Sequence, residues 1–155
     1  MQQDTRKGVR SRVNIAGHPV HPMLVPFPIA FLVGVLATDL LYLFTGNGYW
    51  AQSSVYLAVA GLVTGVAAAM VGFTDFVTLP EVRRHRIAWV HFIGNALVLT
   101  LALTRALYSW DAPEETVRWT GLVLAGLMTA LLVVTGWAGG ELAYRHKIGV
   151  IEDAD

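Results

Sequence analysis

The chain has no cysteine among its 155 residues. That excludes disulfides, iron–sulfur ligation, thiolate zinc sites and the CxxCH attachment of c-type haem. Any metal chemistry must draw on His, Asp, Glu, Met or Tyr. Charge is scarce as well. Only 14% of residues are charged, where a soluble domain carries about 25%. The formal net charge is zero, so the total points to no partner. There is no Ser-His-Asp order, no Gly-rich phosphate loop and no basic stripe for nucleic acid. A cleaved leader is not expected either. The first apolar run, starting at Leu24 behind a polar arm, is about 21 residues long, against roughly 7–15 for a signal h-region. It reads as a retained membrane span.

What is abundant is apolar surface, at 55% hydrophobic residues. A bilayer core of about 30 Å needs about 20 apolar residues of helix. Four stretches qualify: Leu24–Phe44, Val55–Thr74, Ile87–Thr104 and Trp119–Gly140. Including their flanks, the spans are about 24–44, 54–76, 87–106 and 117–140 of a transmembrane domain at 17–143. A basic arm, 1–16, precedes it and a tail, 144–155, follows. Between the spans lie "TGNG", "LPEVRRHR" and "SWDAPEE", all with turn chemistry. The expected fold is an all-α membrane protein, a four-transmembrane-helix up-down-up-down bundle joined by loops of roughly 8–15 residues.

Basic residues orient it. Of the eleven Lys and Arg, Arg6, Lys7, Arg10, Arg12, Arg83, Arg84, Arg86, Arg145 and Lys147 fall on one side. Only Arg105 and Arg118 fall on the other. The positive-inside bias makes both termini cytoplasmic. The chain is expected to be a multi-pass protein of the bacterial inner membrane. Its N-terminal arm is placed to touch anionic lipid. Small residues provide packing faces: Ala30, Gly34 and Thr38, and the GxxxG pairs Gly61/Gly65 and Gly136/Gly140. Bundle packing is the ordinary use of such faces. A homo-oligomer is the other. No internal repeat is visible.

All five histidines sit at or near the same membrane face. His18 and His21 precede the first span in "GHPVHPMLVPFPIA". A residue before proline is pushed out of the helical region, so both are expected to be extended. Rings three apart in a polyproline-like run point the same way, about 9 Å apart. One would be a ligand and the other a supporting or proton-handling group. Pro26 and Pro28 then fit a first helical turn.

His91 lies one turn inside the third span, with Asn95 four residues on. Asp75 ends the second span and Glu141 the fourth. His21, Asp75, His91 and Glu141 should lie within ~10 Å in depth, each from a different helix. Bundles build metal and cofactor sites that way, and intramembrane ionisable groups default to a functional hypothesis.

Each residue also has a plain structural reading. Asp75 can cap, or pair with Arg83 or Arg84. His91 and Asn95 can be interhelical polar glue. Glu141 can pair with Arg145. His85 and His146, among basic residues, are read as solvated or lipid-facing. Asp39 lies far from the cluster, bonding Tyr42 or a neighbouring helix, and Arg105 and Arg118 snorkel to the far interface. No chemistry is assigned to these three.

"GHPVHPMLVPFPIA", "GFTDFVTLP" followed by "RR", "WVHFIGNALVL" and "GWAGGELAYRHKIGV" together resemble the bacterial membrane proteins grouped as domain of unknown function 2231. The resemblance runs from about Gly17 to Val150. It carries over to His18, His21, Asp75, His91, Asn95, Gly139, Gly140 and Glu141. Relatives fused to Rieske or cytochrome c modules imply a link to electron transfer. One departure stands out: where many relatives have a histidine ("LVHFPIA"), this chain has Pro26.

Three functions follow. The first, favoured by the family's fusion habit, is b-type haem electron transfer. Its cofactor-binding residues would be His18, His21, His91 and Asn95, with His91 and His21 (or His18) axial. A quinone or a redox protein would be the partner. The second is a non-haem site of His21, His91, Asp75 and Glu141 holding Zn, Fe or Mn, including a zinc-water hydrolase. The third is a non-enzymatic accessory or pH-sensing subunit. A transporter has little room in four spans. The residues alone favour a cofactor at the cytoplasmic mouth without choosing between haem and metal.

Overall fold

The computed structural model describes residues 8–150. Arg6 and Lys7, counted above toward the basic side, lie outside them, as do 151–155 of the tail. A two-strand hairpin, β1 (Asn14–Ile15) and β2 (His18–Pro19), opens the described chain. Ala16 (φ 49°) and Gly17 (φ 83°) form its two-residue turn. Both positions need positive φ, the geometry of the tight turns that match strand twist.

The helices follow: α1 (Val20–Leu24), α2 (Pro26–Thr45), α3 (Gly48–Thr78), α4 (Pro80–Arg83), α5 (Arg86–Ser109), α6 (Pro113–Thr116) and α7 (Leu122–Gly140). Single π-helical turns extend α7 at both ends, Val117–Gly121 and Glu141–Arg145. Four composite helices are long and apolar enough to cross a membrane: Val20–Thr45, Gly48–Thr78, Arg86–Ser109 and Pro113–Arg145. In the square they form, α2 and α5 each pack on both α3 and α7. The expected four-helix bundle is the fold.

The spans are longer than the apolar runs, and the first connection is far shorter than expected. Only Gly46 and Asn47 separate α2 from α3. Gly46 turns left-handed (φ 65°), and its N–H returns to the Tyr42 carbonyl. The Asn47 side chain then accepts the Tyr49 N–H at 3.0 Å. "TGNG" thus supplies a C-cap and an N-cap back to back. As a result α3 reaches 31 residues, about 46 Å at 1.5 Å per residue. The other links are short as well, because Pro80 and Pro113 each start a helical turn inside them.

The core is built of small against large side chains. Ala58, Ala102, Ala106 and Ala125 face Leu32, Val35, Val98, Met128 and Leu132. Gly61 lies against Leu32, and Gly65 against Leu99 and Pro28, so that GxxxG pair packs within the chain. Gly136 has nothing within 4 Å of a would-be Cβ. Its face, with Val133 and Trp137, is turned outward. Large apolar residues such as Phe27, Val63, Leu97, Leu107 and Trp119 are exposed along every span, as contact with lipid requires. Thr38, Thr64, Thr100 and Thr104 return their hydroxyls to carbonyls three or four residues back. Their polarity is absorbed inside each helix.

Both described ends lie at one face of the bundle. Val9 bridges Ile148 in parallel, with Val9 N–H to Lys147 O at 3.0 Å and Gly149 N–H to Val9 O at 2.8 Å. This terminal face also holds the hairpin and α1.

Candidate functional site

Two polar centres stand at opposite ends of the bundle. The one at the terminal face is a pair of imidazoles. His21 is helical, the second residue of α1, not extended as proline at position 22 suggests. Pro22 falls in the first turn, where its missing N–H has no helical partner to lose. The helix turns the His21 ring inward, and its Nδ1 meets the Ala68 carbonyl of α3 at 2.9 Å. His91 comes from the first turns of α5, with Nδ1 2.9 Å from the Thr135 carbonyl of α7. The two ring centres are 6.1 Å apart and nearly perpendicular. Gly72 and Gly139 lie against the His21 and His91 rings respectively.

The rest of the expected set is occupied elsewhere. His18 is exposed on β2, and its Nδ1 stays with the Ala16 carbonyl at 3.1 Å. The stiff run therefore does not aim both rings at the mouth. Asn95 donates to the His91 carbonyl at 2.7 Å, a bond within its own helix. Asp75 accepts from Ser11 Oγ at 2.6 Å and from the Arg12 N–H at 2.7 Å. It holds residues 8–16, the strap that leads into α1, instead of pairing with Arg83 or Arg84. Arg83 reaches back to the Phe76 and Val77 carbonyls, closing the end of α3. Glu141 pairs with Arg145 at 2.8 Å. Among the described residues, no three His, Asp or Glu side chains gather as a metal-binding group. His85 and His146 pack on each other at a tilt of 33°, ring centres 3.9 Å apart. They are half-buried, a contact their basic surroundings did not suggest.

The second centre was missed. Asp39 does bond a neighbouring helix, but Arg105 does not snorkel. Its Nη2 donates to Asp39 Oδ1 at 2.8 Å and to Ser54 Oγ at 2.7 Å, and both charged side chains are 0% exposed. Burying two charges in an apolar medium is tolerated only when they pair. The signal is available: Asp39 and Arg105 are the lone charges of the spans 24–44 and 87–106, of opposite sign and close to the same face. Gly121, in the π-helical turn, lies over the guanidinium. Asp39 Oδ2, Arg105 Nε and Arg105 Nη1 are buried with no partner among the described residues. Nearer the far surface, Tyr42 donates to Glu114 Oε2 and accepts from Arg118 Nε, both at 3.1 Å. Arg118 therefore also packs on protein, its guanidinium 5.6 Å from the Tyr42 ring centre.

Chemically the two centres differ. The ionic centre uses its charges on each other. The imidazoles are held through one nitrogen each, and the other nitrogen of each remains for a ligand or a proton.

Residues 17–152 match the family described as a predicted membrane protein (DUF2231), and the chain belongs to that family. No curated protein and no solved structure matches the chain.

Proposed function

We propose that this DUF2231 membrane protein would carry electrons through one b-type haem, which His21 and His91 would hold. What supports the reading is the His21–His91 pair, two imidazoles from different helices, each anchored at Nδ1 and facing the other at 6.1 Å. Rings so spaced could both reach one ion between them, each metal–nitrogen bond being about 2 Å. Anchoring the far nitrogen of a ligating histidine on a carbonyl fixes its tautomer and orientation. The donor set fits haem better than non-haem metal. Zinc sites take three or four protein ligands, and Asp75 and Glu141 are engaged with the strap and with Arg145. Haem iron needs two axial groups at most. Bound there, haem would supply one-electron transfer. His21 and His91 would hold it, and the carbonyls of Ala68 and Thr135 anchor the two rings. His18 and Asn95 drop out of the ligand set.

The basic residues of the terminal face, Arg10, Arg12, Arg83, Arg84, Arg86, Arg145 and Lys147, support a cytoplasmic assignment for that face in the bacterial inner membrane. The electron partner would be a membrane quinone or a soluble redox protein reaching it.

The absorption spectrum of protein expressed with ample haem and purified in detergent tests the proposal. The expected result is a Soret band at about one haem per chain. It should be lost in His21→Ala and His91→Ala and kept in His18→Ala, Asp75→Asn and Glu141→Gln. A colourless protein sinks the haem. If elemental analysis then finds a stoichiometric metal that Asp75→Asn and Glu141→Gln remove, the mixed His/Asp/Glu site is correct instead.

A further inference from the structure

We propose that Gly72 and Gly139 are positioning residues that lock His21 and His91 as Nδ1–H tautomers, presenting both Nε2 lone pairs to the site. The inference rests on the His21–His91 site above, but not on the identity of what binds there.

A carbonyl oxygen only accepts. Nδ1 of His21 on Ala68 O, and Nδ1 of His91 on Thr135 O, must therefore each carry a proton. In the neutral ring the lone pair is then on Nε2. Both acceptors lie inside helices, and their ordinary donors are the N–H groups four residues on. Those residues are Gly72 and Gly139. The imidazole uses the second lone pair of a carbonyl that already has a helical partner.

To reach that lone pair, the ring must pass over residue i+4. A Cβ at Gly72 would stand 2.8 Å from His21 Cε1 and Nδ1. A Cβ at Gly139 would stand 3.0 Å from His91 Cε1 and 3.3 Å from its Nδ1. Carbon contacts settle at about 3.5–4.0 Å, so a side chain at 72 forces the His21 ring to shift and one at 139 forces His91 to give by a few tenths of an ångström. The same device occurs in both hairpins, α1–α3 and α5–α7: a histidine on the first arm, and on the second a carbonyl with a glycine four residues later. Glycine is not placed this way throughout α7. Gly126 and Gly136 have nothing within 4 Å. An Nε2 pair prepared in this way takes a Lewis acid or a proton, and offers no donor to an anion while the rings are neutral.

The test uses apo-protein with ¹⁵N-labelled imidazoles in detergent micelles. Nitrogen shifts and their couplings to ring protons report the tautomer, with His21→Gln and His91→Gln assigning the signals. Wild type should show both rings as Nδ1–H. Gly72→Ala should abolish that pattern for His21 alone, and Gly139→Ala for His91 alone. Gly136→Ala should change neither. Nε2–H rings in wild type, or unchanged rings in both alanine variants, would overturn the proposal.

A stability cycle covers the case of poor folding. Gly72→Ala should destabilise the wild type but not His21→Ala, because the clash needs the ring. An equal loss in both backgrounds overturns the lock. The two proposals fail separately. Nδ1–H signals in a protein with no Soret band remove the haem and keep the lock. Nε2–H signals in a protein that takes up haem remove the lock and keep the haem.

Discussion

The two polar centres solve the same problem in opposite ways. At the far end, Asp39 and Arg105 are charged, fully buried and bonded to each other and to Ser54. That contact ties α2, α3 and α5 together. At the terminal end, His21 and His91 can be neutral, so burial costs less and a backbone carbonyl is partner enough. One nitrogen per ring is spent on the fold and one is left over. The difference teaches where to look for chemistry in a small membrane bundle. A buried ion pair across three helices is a weld, and an imidazole with one nitrogen to spare is a site.

The comparison is broken most directly at the weld. Arg105→Met leaves Asp39 buried without its cation. Removing one partner of a buried pair costs about 3–5 kcal/mol, and SDS-titration unfolding in detergent should show a loss of that size. Asp39→Leu combined with Arg105→Met should recover most of it. A single variant as stable as wild type would mean the pair is hydrated and not a weld.

A smaller effect tests whether the terminal face depends on its strap. Asp75→Asn replaces the carboxylate that accepts from Ser11 and Arg12. Charge-assisted hydrogen bonds are worth about 1.5–3 kcal/mol, so residues 8–16 should become cleavable in limited proteolysis while the bundle persists. Resistance equal to wild type would mean the Val9–Ile148 bridge holds the strap alone. The smallest effect is expected from Arg145→Ala. Its side chain is 75% exposed and bonded to Glu141 one turn away, worth below about 0.5 kcal/mol by the same titration. A larger loss would make the Glu141 end a third structural centre.

Much of this was legible in the sequence because hydrophobic length is a one-dimensional signal. Four apolar runs mean four spans, whatever their packing. His21 and His91 were picked out as polar groups at one depth, since depth follows from position along a helix. The same depth argument brings in Asp75 and Glu141, which bond to Ser11 and Arg12 and to Arg145. Depth says nothing about azimuth, and each had a nearer partner. Arg105 shows the reverse error. Along its own helix it has an interface to snorkel toward. Only the square arrangement of helices turns it inward.

By itself, the sequence determined the membrane class, the number of spans, the packing value of Gly61 and Gly65, and the end of the bundle where the histidines lie. These follow from composition and spacing along single helices. Tertiary structure alone decided which polar groups meet. It bent His21 into a helix, spent Asp75 on the strap, buried Arg105 against Asp39, and set two glycines beneath two imidazoles. A hydrogen bond depends on distance and direction in three dimensions, and residues 44 and 47 positions apart in the chain acquire both only when the helices pack.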